Sequence, residues 1–148
     1  MYHLVYISYA SRPLREDDLL DILHTSRLNN KKYGITGMLV YLHEKFIQVL
    51  EGEYEAVNKV YHEVKQDLRH RKVTTVLEGN TEQRIFKDWS MGFKKLDGQQ
   101  FEELSGYKDP EDFFNTARVT DESPAVMIFL TLFYKKNIND YPESVSLK

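Results

Sequence analysis

Within the stretch "EKFIQVLEGE" (44–53), a glutamine stands where a strand would bury an apolar side chain. Phe46, Ile47, Val49 and Leu50 read as a buried β-strand. Alternation then sets Phe46, Gln48 and Leu50 on one face, and Ile47 and Val49 on the other. A buried amide without partners costs roughly 1–3 kcal/mol, so Gln48 has to be bonded to something. Tyr6, in "YHLVYIS" (2–8), shares a strand face with Leu4 and Ser8 and is one candidate; a neighbouring backbone group or hydroxyl is the plainer one. An amide donates and accepts at once, so Gln48 could hold Tyr6 and still bind a third group.

Three further constellations invite a chemical reading. Asn29 and Asn30 suit a helix end, and two side-chain amides beside a sheet could equally read the edge of a planar heterocycle. "RIFKDWSM" (84–91) sets Trp89 and Met91 on one strand face, where core packing is the usual role. Its Arg84 is either a solvated charge or an anchor for an anionic ligand. "QDLRH" (66–70) supplies cations that suit the end of a helix by charge alone. His3, His24, His43, His62 and His70 do not fall at metal-ligand spacings. No H-E-x-x-H, P-loop or G-x-G-x-x-G motif is present, and no Ser-His-Asp arrangement follows from the spacing.

Those residues need elements to hold them. Residues 2–8 alternate as a first strand. Pro13 and the acids Glu16, Asp17 and Asp18 suit a helix N-terminus. Leu19, Ile22, Leu23 and Ser26 then recur at helical spacing, with Asn29 and Asn30 as the expected stop. "YGITGMLVYLHEKFIQVLEG" reads as two strands joined by a tight turn near His43 and Glu44, with Gly34 and Gly37 allowing a twist or a close approach of backbones. Val57, Val60, Tyr61, Val64 and Leu68 mark a second amphipathic helix. "KVTTVLEGN" is a fourth strand. "WSMGFKKL" is a fifth, with Trp89, Met91 and Phe93 on one face.

The order β-α-β-β-α-β-β over residues 2–96 predicts an α+β, ferredoxin-like sandwich: a five-stranded mixed sheet with both helices on one face. In such a sheet the first and third strands are central neighbours, which brings Tyr6 and Gln48 together on the helix-covered side. Residues 97–148 differ in character. "DPEDFFNTAR" and "PAVMIFLTLFYKKN" read as two helices, giving a helical cap or extension after a first domain of residues 1–96.

Composition narrows the classes. The chain has 148 residues, 41% hydrophobic and 29% charged, which fits a folded globular protein. Its formal net charge of −3 argues against a general nucleic-acid binder. It has no cysteine, so thiolate metal sites, disulfides and thiol photochemistry are excluded. "MYHLVYISYA" is too short and polar for a signal peptide, and no apolar run reaches the roughly 20 residues that span a bilayer. The expectation is a cytoplasmic protein.

The chain resembles the BLUF family, flavin-binding sensors of blue light. "LVYIS" around Tyr6, "LNNKKYGITGMLVY", "FIQVLEGE" around Gln48, "QDLRH" and "RIFKDWSM" occur in the family's order and spacing, over about residues 2–96. The resemblance implies non-covalent FAD, with FMN or riboflavin as alternatives. It implies that Gln48 bonds both the flavin edge and Tyr6, that Asn30 bonds the ring with Asn29 beside it, that Ile22, Ser26 and Val64 line the slot, and that Phe46 too contacts the flavin. It puts Asp67, Arg69, His70 and Arg84 toward the ribityl or phosphate end. Tyr6, Gln48, Trp89 and Met91 become the photoactive set: Tyr6 gives an electron and a proton to the excited flavin, the charge returns, and Gln48 is left rotated or tautomerised.

The same resemblance implies a non-enzymatic sensor of the short type, followed by a helical cap and no output domain. Its signal would leave through a partner protein or through self-association as a homo-oligomer, without nucleic acid or membrane. Two other readings of the fold stay open at this point. One is an acylphosphatase-type enzyme, for which "YASRP" would have to supply a phosphate-cradling arginine; the other is a ligand-free regulatory domain.

Overall fold

Nine residues rich in β-branched and aromatic side chains, Tyr2–Ala10, form β1, the strand around which the sheet is built. The computed structural model describes residues 1–42, 44–86 and 91–95. Within them the elements run β1, α1 (Glu16–Tyr33), β2 (Thr36–Leu42), β3 (Lys45–Gly52), α2 (Tyr54–Gln66), β4 (His70–Asn80) and β5 (Gly92–Lys95). The sheet order is β4-β1-β3-β2-β5. All pairs are antiparallel except β2 with β5, which is parallel. This is the expected α+β arrangement, a split βαβ pair with a fifth strand added at one edge.

Several boundaries differ from the sequence reading, each for a local reason. Helix α1 does not stop at Asn29 and Asn30. It continues to Tyr33, because Gly34 takes the left-handed conformation (φ 67°) and its N–H caps the Asn30 carbonyl. At its start the Arg15 N–H bonds the Asp18 carboxylate at 3.0 Å, and Arg12 pairs with the same carboxylate at 2.9 Å. Helix α2 ends at Gln66, so Leu68 leaves the apolar stripe and is 90% exposed. "QDLRH" is therefore a helix exit rather than a helix end, and His70 already opens β4. Strand β5, as described, begins at Gly92. Trp89 and the two helices expected within 97–148 lie outside the described residues, as does the side chain of Phe93.

The core lies between the helices and one sheet face. Leu19, Ile22 and Leu23 of α1 and Val57, Val60 and Tyr61 of α2 pack with Leu4, Tyr6, Leu39, Tyr41, Phe46 and Leu50. Val5, Met38, Ile47 and Val49 on the other face are buried too. No described helix is long and apolar enough to cross a membrane.

Gly37 is fixed by contact rather than by conformation. A Cβ there would lie 1.9 Å from the Val49 carbonyl oxygen, and backbone cannot change rotamer to make room. Gly37→Ala should therefore separate β2 from β3 and destabilise the fold by about 3 kcal/mol, the upper end of overpacking costs. A thermal melt should fall by roughly 10 °C or more; an unchanged melt would show that the two strands tolerate the methyl.

Candidate functional site

Tyr6 and Gln48 are paired directly across β1 and β3. Both face the helices and both are buried. The Tyr6 hydroxyl donates to Gln48 Oε1, and Gln48 Nε2 donates to Met91 Sδ at 3.3 Å. The amide thus holds a phenol at one end and a thioether at the other. A thioether is a weak acceptor, and an amide nitrogen carries a second hydrogen, so Gln48 can take another partner at little cost.

Burial, with smaller contributions from Tyr61 and Asp67, pushes the Tyr6 phenol far above its ordinary pKa. Tyr6 therefore stays a neutral O–H donor at physiological pH. Its ring lies 5.3 Å from that of Tyr61, whose hydroxyl shares a 2.7 Å hydrogen bond with Thr75.

A cleft of about 160 Å³ opens between α1, α2 and these strands. A single water needs only about 10–15 Å³ of such space, so the cleft has room for much more than one water. Its walls combine aliphatic side chains with amides, as ligand sites usually do. Tyr6, Ile22, Ser26, Asn29, Asn30, Gln48, Val64, Asp67, Arg69 and His70, all singled out from the sequence, line it together. Asn30, although an amide, is 1% exposed, in the last turn of α1.

Thr25, Leu39, Val60 and Glu63 line the cleft as well. Leu39 and Val60 carry only an ordinary core signature in the sequence. Thr25 and Glu63 were detectable only as the i+3 neighbours of Ile22 and Val60 on the two helices.

Two expected contacts fall elsewhere. Phe46 is fully buried behind the cleft, its ring 4.9 Å from that of His70. Arg84 reaches away from the cleft: its guanidinium donates to Thr36 Oγ1 (2.8 Å), the Glu51 carbonyl (3.0 Å) and the Gly34 carbonyl (2.7 Å). It fastens the segment after β4 to the ends of β2 and β3. Glu51, which the sequence reading passed over, completes the latch. Fully buried, its carboxylate accepts from Thr36 Oγ1 and from the backbone N–H groups of Ile85 and Phe86. A lone glutamate near a strand end gives no sequence signal for this.

The mouth of the cleft is polar. Asp67 Oδ1 accepts from the Arg69 backbone N–H (2.9 Å), and its Oδ2 from the Arg69 guanidinium (2.7 Å). Burial raises the Asp67 pKa, but the Arg69 hydrogen bonds and the charges of Arg69 and His70 outweigh it and hold the carboxyl below its ordinary range. Burial lowers the His70 pKa, so its ring is neutral at pH 7. His70 Nδ1 shares a 2.8 Å hydrogen bond with the hydroxyl of buried Ser8.

Arg12, the arginine of "YASRP", spends its guanidinium on Asp18 and Pro13, which leaves no cradle for a phosphate. Among the described residues, no group of three or more His, Asp or Glu could hold a metal ion.

Comparison with known proteins agrees with this geometry. Residues 1–92 match the family model described as BLUF, sensors of blue-light using FAD. A Euglena gracilis protein named photoactivated adenylate cyclase subunit beta is 38% identical over 89 residues, which is 60% of this chain and 10% of that protein. The chain thus spans about a tenth of the length of that relative. The solved dark-state structure of BlrB, described as a BLUF protein, superposes with a TM-score of 0.62 at 29% identity, covering 64% of this chain and 72% of that one. A bacterial light-regulated adenylyl cyclase superposes with a TM-score of 0.64 at 31% identity, covering 78% of this chain and 33% of that one.

Proposed function

The chain belongs to the BLUF family, the sensors of blue light that use FAD, and from that premise we propose how its own residues bind the flavin and answer to light. The observation that carries the proposal is the buried Tyr6–Gln48–Met91 chain of hydrogen bonds bordering the cleft. The residues present fit a flavin: a slot between two helices, aliphatic walls, amides toward the sheet and an Arg–Asp pair at the mouth. Gln48 and Asn30, with Asn29 beside them, would hold the polar edge of the ring. Ile22, Ser26 and Val64 would flank it, and Asp67, Arg69 and His70 would meet the ribityl and phosphate end. FAD is the flavin proposed, bound without a covalent link.

When bound, a light-excited flavin supplies a strong oxidant. Tyr6 is the oxidisable residue in place. Neutral and hydrogen-bonded to Gln48, it gives up an electron and its hydroxyl proton and takes both back. While that bond is broken, the Gln48 amide is free to turn, and it comes to rest with different partners. Its hold on Met91 changes, and Met91 leads directly into β5. The light signal would leave by that strand, toward residues past 95 and then to a partner protein or a second copy of the chain. The relatives named above include light-regulated cyclases; for this chain the sensor itself is read as non-enzymatic, and its output as a change passed on to an effector.

The experiment is direct. Purified from cells or reconstituted with FAD, the protein should be yellow and should release intact FAD on denaturation. A colourless protein that takes up neither FAD, FMN nor riboflavin would overturn the proposal. Release of FMN or riboflavin alone would overturn the choice of FAD.

A further inference from the structure

Arg27 stands where a helix of this kind buries something apolar. It lies on α1 at i+4 from buried Leu23 and three residues before buried Asn30, on the stripe that faces inward. Its side chain crosses to the sheet. Arg27 Nε donates to the Met91 carbonyl at 3.0 Å, a contact between residues 64 positions apart. Met91 is fully buried and is held at two points: its carbonyl by Arg27, its sulfur by Gln48.

The two holds are unequal. A thioether accepts weakly, whereas a hydrogen bond from a charged guanidinium is among the stronger kinds. Met91 also stands just before β5, which among the described residues is four residues long, lies at the sheet edge and pairs with β2 alone. So short a ladder does not by itself fix the residue that precedes it. We infer that Arg27 is a positioning residue that pins Met91 against Gln48 and thereby sets the resting partner of the amide. It also ties α1, a wall of the cleft, to the strand by which the signal leaves. This rests on the photosensor reading only for its kinetic consequence; the placement of Met91 stands or falls independently.

The test uses flavin-loaded protein carrying ¹³C-methyl methionine, of which the chain has four residues. In Arg27→Leu the Met91 methyl resonance should move or split in the dark while that of Met38 stays in place. The lit state should decay about tenfold more slowly, the order expected when the resting arrangement loses one hydrogen bond from a charged donor. Arg27→Lys, which keeps a cation of similar reach, should recover part of both effects. An unmoved Met91 resonance with unchanged decay would overturn the inference. If Arg27→Leu does not fold, Arg27→Gln is read by the same two criteria. If wild type shows no light response, the photosensor reading fails, and the Met91 resonance alone still decides the role of Arg27.

Discussion

Gln48→Leu should give a folded, yellow protein in which blue light produces no red shift of the flavin spectrum. Leucine fills most of the glutamine volume and sits well beside Leu39 and Met91, which are themselves buried. What is lost is the group that can exchange partners. In wild type the amide accepts from Tyr6 and donates to Met91; leucine does neither. The Tyr6 hydroxyl is left buried beside an apolar side chain, a cost of roughly 1–3 kcal/mol. A lower melting temperature is therefore expected, short of unfolding. Flavin should stay bound, because Asn30, the helix-borne walls and the Arg69 end of the cleft are untouched. A light-minus-dark spectrum checks this, and a normal red shift in the variant would show that Gln48 is not the switch.

Tyr6→Phe should have an effect as large by a different route. Phenylalanine keeps the ring that packs 5.3 Å from Tyr61 and removes only the hydroxyl. Losing that hydrogen bond costs roughly 0.5–1.5 kcal/mol, so fold and flavin should survive. The donor of the electron and proton is gone, however, and Gln48 loses the bond whose breaking frees it. An electron from any other residue would not replace it, because without the Tyr6 proton Gln48 would not reorganise. The variant should be yellow, fluoresce more strongly and for longer because its main quencher is absent, and form no stable red-shifted state. Loss of flavin would make Tyr6 a binding residue instead, and a normal photocycle would make it an ordinary core tyrosine.

The parts of this molecule legible in its sequence are those written in periodicity. The alternation of 2–8 and 46–50, and the helical recurrence from Leu19 and from Val57, specify the strands, the helices and the shared face of Tyr6 and Gln48. Boundaries were harder to read, because one residue can outrank a pattern. Gly34, able to adopt φ 67°, overrode Asn29 and Asn30 as the end of α1. Leu68 matched the α2 stripe by spacing, yet it falls past the last helical turn. Long polar side chains were the least legible. Arg84, half-buried, and Glu51, fully buried, form a latch that their residue types do not announce, because what a guanidinium or a carboxylate bonds depends on which backbone ends the topology brings near it. Arg27 is the same case on the helix side.

The central claim, that light acts on the Tyr6–Gln48 pair through a bound flavin, meets its most direct test in one spectrum. Purified, flavin-loaded wild-type protein is illuminated with blue light, and its absorption is recorded before, during and after. The account predicts a small shift of the flavin band to the red that reverses fully in the dark, with no bleaching of the kind a covalent adduct produces. A spectrum unchanged by light, or one that bleaches and does not return, would contradict it.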